Sequence, residues 1–91
     1  MRYTFDWDPK KSESNFRKHG VRFEEATTVF GDPLSLLLSD PDHSMEEERL
    51  IVLGLSSSQR LLVVAHAERP PLTRIISARL ATRNERMRYE E

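Results

Sequence analysis

Cysteine is absent from this 91-residue sequence, so disulfides and thiolate metal sites are excluded and a reducing compartment is permitted. No apolar run approaches the roughly 18 residues of a membrane-spanning helix, and no signal-peptide hydrophobic region appears. The expectation is a cytoplasmic protein without membrane contact. Hydrophobic residues are scarce, 37% against 32% charged. A single domain over residues 1–91 buries only about 60–65% of the surface that its unfolded chain exposes. So thin a core readily accommodates a partner that covers apolar surface. The P-loop, the G-x-G-x-x-G turn and the G-x-S-x-G elbow are missing too, which leaves nucleotide hydrolysis and serine-hydrolase chemistry without support. Asp40, Asp42, His43 and Glu46–Glu48 are hard-ligand types close in sequence, but the glycine and spacing of an EF-hand loop are lacking and there is no H-x-x-x-H pair. The stretch reads as a mobile acidic loop, and neither metal nor cofactor is expected.

Lysine is absent from residues 60–89, where arginine stands at 60, 69, 74, 79, 83, 86 and 88 against only Glu68 and Glu85. Arginine suits bidentate contact with phosphate or carboxylate better than lysine does. Residues 32–49 carry the opposite bias, six acids against Arg49. The net charge of −1 therefore conceals a polar chain, with an anionic partner expected at the basic C-terminal third.

Residues 3–7 alternate as a first strand. Asp8 then serves as N-cap and Pro9 as first helical residue of a helix that runs to His19 and stops at Gly20. That register places Phe16 and Val21 at the two positions whose contact accompanies a Schellman ending, so Phe16 is expected to anchor a surface helix. Lys18 and His19 fall in its last turn, where the helix dipole favours positive charge. Phe23, Ala26, Val29 and Phe30 recur at helical spacing and predict a core-facing helix over 23–30, ended by Gly31-Asp32-Pro33. Strands are expected over Leu34–Ser39 and Arg49–Leu55, then a turn at Ser56–Gln59. Two β-branched runs around Pro70-Pro71 read as a hairpin within residues 60–79. Thr82 and Glu85 fit a capping box that opens a C-terminal helix. The order β-α-α-β-β-β-β-α gives an α+β fold, a mainly antiparallel sheet with two N-terminal helices and one C-terminal helix.

Buried strands seldom carry His66, Glu68, Arg69, Arg74 and Arg79 unless these line a cleft or a partner surface. Histidine, glutamate and arginine can together deprotonate a nucleophile, protonate a leaving oxygen and stabilise a phosphorane without metal. If the hairpin loop is even, His66, Glu68, Ser77 and Arg79 share a face; if it is odd, Arg74 joins His66 and Arg79 leaves. Either parity puts His66 beside at least one arginine.

The segments FDWDPKKSESNFRKHGVRFEEATTVFGDP, DPDHSMEEER, RLLVVAHAER, RIISAR and ATRNERMRYEE together resemble the BrnT family of toxins from type II toxin–antitoxin systems. The resemblance covers essentially the whole chain. It implies a fold similar to RelE-type ribonucleases, RNA cleavage that inhibits translation, and neutralisation by a BrnA-type ribbon-helix-helix antitoxin in a 2:2 complex, with operator DNA contacted only through the antitoxin. Carried over by position, it implies site roles for Arg79, Lys18, His19 and Arg83, and less directly for His66, Glu68 and Arg69.

The reading is thus a metal-independent endoribonuclease in which Arg79, His66, Glu68 and Arg74 do the chemistry and Lys18, His19, Arg69 and Arg83 bind RNA. The rival is a non-catalytic partner-binding subunit of a DNA-binding complex, either a co-repressor or an inactivated toxin.

Overall fold

The computed structural model describes residues 3–39 and 49–91. The elements are β1 (Phe5–Asp6), α1 (Pro9–His19), α2 (Phe23–Thr27) continued by a 3-10 turn (Thr28–Gly31), β2 (Leu36–Ser39), β3 (Arg49–Leu55), β4 (Leu61–Arg69), β5 (Leu72–Leu80) and α3 (Arg83–Glu90). This is the expected order and an α+β fold. The five strands form one sheet, β1-β5-β4-β3-β2, antiparallel throughout except for β1, which runs parallel to β5. The acidic stretch Asp40–Glu48, read as a mobile loop, lies outside the described residues.

Helix α1 begins and ends as its sequence dictates. The Asp8 carboxylate accepts from the Lys10 N–H at 2.9 Å, Pro9 opens the helix, and Gly20 takes the left-handed conformation at φ 72°. A residue with a Cβ adopts that conformation only at a cost.

The anchor of α1, however, is Asn15 rather than Phe16. Phe16 is 39% exposed and lies beneath the Arg22 guanidinium, 4.0 Å from ring centroid to Cζ. Asn15 is buried. Its amide donates to Val21 O at 3.0 Å and Ala78 O at 2.8 Å, and it accepts from the Ala78 N–H at 3.1 Å. β1 pairs with β5 only at Thr73 and Arg74, which leaves the edge of β5 bare further along. One asparagine side chain satisfies both backbone groups of Ala78 there, as a neighbouring strand would, and buried backbone groups demand such partners. The same arrangement explains why β1 is shorter than the expected 3–7: Trp7 turns inward, edge-on to Phe23 at 6.0 Å between ring centroids.

The sheet has two unlike faces. On one, Val52, Leu62, Val64, Ile75 and Ala78 pack against Val21, Phe23, Ala26 and Val29, with Phe5, Trp7 and Phe30 at the margin. This confirms the apolar stripe of the second helix. Gly54 permits the close approach, because a Cβ there would stand 3.0 Å from the Ser35 Cβ and 3.2 Å from Val29 O. The other face is thinner. Leu53, Leu61 and Val63 are buried beneath Leu36, Ile51, Leu55, Ala81 and Tyr89, and α3, which lies over them, has no buried residue of its own.

The β4–β5 register decides which side chains meet. Near the turn His66 pairs with Ile75, Ala67 with Arg74, Glu68 with Thr73 and Arg69 with Leu72. Further along, Ala65 pairs with Ser77, Val64 with Ala78, Val63 with Arg79 and Leu62 with Leu80. Ile76 is the extra residue of a β-bulge. β4 itself pairs with β3 without interruption, so its side chains alternate strictly. His66 and Glu68 therefore project to the face of α1 and α2, whereas Arg74 and Arg79, opposite Ala67 and Val63, project to the face of α3. The expectation that His66 shares a face with at least one arginine is overturned. Neither simple parity holds, because the bulge changes the register halfway along the hairpin.

Candidate functional site

The singled-out residues separate into two regions at opposite ends of the hairpin. The first is the open end, where β4 begins and β5 finishes. The last turn of α1 arrives there, because Asn15 fixes the helix to Ala78 and residues three and four positions on lie on the same helical face. These are Lys18, exposed, and His19, half-buried. The Arg60 Nη2 donates to Gly20 O at 3.1 Å and its Nε to Glu25 at 2.9 Å, while Glu25 also accepts from the Ser56 hydroxyl at 2.7 Å. Hydrogen bonding from Arg60, working against burial, holds the Glu25 carboxyl below its ordinary range. This clamp ties the end of α1, the start of α2 and the start of β4 together, a role that the sequence did not betray for Arg60.

Arg79 leaves the same end of β5 on the other face. Its Nη1 and Nη2 donate to the two oxygens of Glu85 at 2.8 Å each, and Nη1 also reaches Leu80 O at 3.3 Å. Two of its five N–H groups, Nε–H and one on Nη2, are left for another acceptor. Glu85 completes the predicted capping box, accepting from the Thr82 N–H at 2.8 Å while the Thr82 hydroxyl accepts from the Glu85 N–H at 3.2 Å. Arg79, aided by the cap, outweighs desolvation and holds the Glu85 carboxyl down at about 2. Exposed Arg83 follows in the first turn of α3.

At its far end α3 is fastened by Tyr89, whose hydroxyl donates to Asp32 at 2.6 Å. The same carboxylate accepts from the backbone N–H groups of Leu55 at 2.8 Å and Leu34 at 3.0 Å. The hydrogen bond to Asp32 comes first in pushing the Tyr89 hydroxyl up to about 12.

The second region is at the turn end. His66 is 1% exposed, with Nε2 3.6 Å from Glu68 Oε1 and an edge-on contact to Phe30 at 4.9 Å between ring centroids. Burial pushes its pKa down, against a backbone contact from Val64 and the Glu68 charge, so the ring is neutral at pH 7. Beside it opens a cleft of about 360 Å³ walled by Tyr3, Phe30, Leu37, Leu50 and Val52, with Ser35 and Glu68 as polar rim. On the other face Arg74 donates to Asp6 at 2.7 Å and ties β1 to β5. Arg69 is exposed at the turn.

The structure thus brings Lys18, His19, Arg79 and Arg83 to one end of the sheet, and His66 and Glu68 to a separate cleft. Asn15 and Arg60 hold the end of α1 in place, and Glu85 holds Arg79. A mid-helix asparagine, a poor helix former with no local use, was the one signal that could have found Asn15. Among the described residues no three histidine, aspartate or glutamate side chains are grouped as metal ligands, and no helix is long and apolar enough to cross a membrane.

No curated protein matches this sequence. The crystal structure of the ribonuclease toxin BrnT from Brucella abortus superposes with a TM-score of 0.67 at 19% identity, covering 90% of this chain and 100% of that one. The likeness carries the fold. The family described as the ribonuclease toxin BrnT of type II toxin–antitoxin systems matches residues 7–85. The match takes in α1, the hairpin and the start of α3, and the chain belongs to the BrnT family of ribonuclease toxins.

Proposed function

We propose that this protein is an endoribonuclease that cleaves RNA without a metal ion or cofactor, and that its working surface is the open end of the β4–β5 hairpin. The observation that carries this reading is the bidentate seating of Arg79 on Glu85, which leaves two oriented N–H donors at the end of the sheet that the last turn of α1 reaches on the opposite face. The RNA 2′-oxygen attacks the adjacent phosphorus, forming a 2′,3′-cyclic phosphate and expelling the 5′-oxygen, which takes up a proton. The phosphorane gains negative charge that Arg79 meets with pre-oriented donors. Lys18 and Arg83 bind the flanking phosphates, and the exposed Arg86 and Arg88 extend the cationic surface along α3. His66 and Glu68 stand at the turn end of the hairpin, so proton transfer is assigned to His19, at the open end. A BrnA-type ribbon-helix-helix antitoxin neutralises the toxin in a 2:2 assembly, and operator DNA is met only through that antitoxin.

The experiment is digestion of a defined RNA by the purified protein in EDTA, without ribosomes, followed by analysis of the new ends. Cyclic phosphate and 5′-hydroxyl ends are expected. A 5′-phosphate product, or cleavage that EDTA abolishes, would overturn the mechanism. The pairing of Arg74 with Asp6 and of Arg79 with Glu85 favours a second reading, a non-catalytic subunit whose arginines are structural. That reading requires the wild-type protein to bind its antitoxin while leaving RNA intact.

A further inference from the structure

The cleft beside His66 has no part in the chemistry assigned to the open end, yet it is built for a ligand. Its walls are largely apolar, two of them aromatic (Tyr3 and Phe30), and its polar groups are concentrated at His66 and Glu68. His66 is fully enclosed, and among the described residues its Nδ1 is buried without a well-aligned hydrogen-bond partner. A neutral imidazole has one N–H and one lone pair. With the proton on Nε2, the ring points toward Glu68 and leaves the Nδ1 lone pair unmet. With the proton on Nδ1, that donor meets only the backbone of Val64, and the Nε2 lone pair faces a carboxylate oxygen 3.6 Å away with no donor between them. In either tautomer one ring nitrogen is short of a partner, and buried polar atoms left in that state are rare.

Among the described residues the Glu68 carboxylate is also short of donors, receiving only the Thr73 hydroxyl at a long 3.3 Å. The cleft is therefore rich in acceptors and flanked by aromatic rings. An aliphatic side chain would fill the space but leave both groups unpaired. A flat heterocycle with adjacent N–H donors would satisfy them while one face lay against the wall formed by Tyr3 and Phe30, whose rings touch at 5.3 Å between centroids. Among nucleobases guanine alone offers a ring N–H beside an exocyclic amine, the pair of donors that matches the two oxygens of a carboxylate. Uracil would set a carbonyl oxygen against that carboxylate.

We infer that the Tyr3–Phe30–His66–Glu68 cleft is a guanine-binding subsite, which holds one base of the RNA while the strand runs on toward the open end. The inference rests on the ribonuclease reading for its biological use but not for its physics, and the two can fail separately. Guanosine 5′-monophosphate is titrated into the full-length protein and followed by backbone amide shifts, with the adenosine, cytidine and uridine monophosphates as comparisons. Saturable shifts confined to Leu37, Leu50, Val52 and His66 are expected with guanosine monophosphate, at an affinity at least tenfold above that for uridine monophosphate. Glu68→Gln, at an exposed rim position, should abolish that preference. Leu37→Trp, at a residue 62% exposed, should block the cleft without touching Glu68.

If guanosine monophosphate binds there but the protein cuts no RNA, the subsite stands and the ribonuclease reading falls. If RNA is cut with a base preference that Glu68→Gln leaves unchanged, the subsite falls and the ribonuclease reading stands. Shifts at the cleft with an apolar probe such as indole, but with no nucleotide, would overturn the subsite in favour of an apolar side chain from a protein partner. Equal binding of all four nucleotides would overturn the guanine assignment.

Discussion

The two faces of the sheet are held by different physics. Against α1 and α2 the sheet is closed by fully buried apolar side chains, Phe23, Leu62, Val64 and Ile75 among them, and by the buried amide of Asn15. Against α3 it is closed by a smaller buried cluster, Leu53, Leu61 and Val63, under half-buried residues, and by two polar fastenings, Arg79 to Glu85 and Tyr89 to Asp32. Hydrophobic burial is strong and indifferent to pH, whereas hydrogen-bonded ion pairs are weaker and titrate. The arginine that we place at the chemistry is on the lightly held face, so the same contact that orients it also fastens the helix.

The sharpest way to break this comparison is at Arg79. Replacement by alanine should lower RNA cleavage by about 10²–10³-fold, the usual cost of removing one pre-oriented donor to a developing oxyanion. The melting temperature should move far less, since α3 retains Tyr89. Cleavage rates and a thermal melt of the same preparation read both arms. Second in size is Asn15→Ala on the other face. It leaves Ala78 N–H, Ala78 O and Val21 O without partners in a buried site, and should cost about 2–4 kcal/mol in a urea titration. An equal loss in a variant of an exposed residue such as Lys11 would contradict the assignment.

Acid should act on both carboxylate fastenings, Glu25 to Arg60 on the α1 side and Glu85 to Arg79 on the α3 side. The Glu85 pKa is depressed in the folded state, so its contribution is fully present above the unfolded value of about 4.3 and is lost as pH falls toward about 2. Because the pair is partly exposed, its worth is about 1 kcal/mol. The check is hydrogen exchange in α3, expected to quicken between pH 4 and 2 and to lose that dependence in Glu85→Gln. Tyr89→Phe should be the mildest change, about 1 kcal/mol, with α3 amides exchanging faster and those of α1 unchanged. In the wild type this hydroxyl's pKa is raised, so its contribution is intact below about 10 and is lost as pH rises through about 12. A tyrosine absorbance titration would show it.

Much of the architecture was legible because it rests on local chemistry. Asp8-Pro9 and Gly20 bound α1, Phe23, Ala26 and Val29 mark a buried stripe, and the Thr82–Glu85 box opens α3. The combined segments also pointed to the family. What was not legible depended on contacts distant in sequence. Nothing local reveals that Asn15 completes the edge of a strand 63 positions away, or that Arg60 clamps Glu25. The pairing of site residues failed for a related reason. A single extra residue at Ile76 sends Arg79 to the face opposite His66, and alternation read along one strand cannot anticipate a bulge in its partner.

The central claim is that RNA is cut at the open end of the hairpin, with Arg79 at the phosphate. It is tested most directly by single-turnover cleavage of one labelled RNA in EDTA by wild type, Arg79→Ala and Arg74→Ala, each shown to be folded. Loss of cleavage in Arg79→Ala, with Arg74→Ala still active, is the predicted result. Wild-type cleavage by Arg79→Ala would contradict the claim and move the chemistry elsewhere on the molecule.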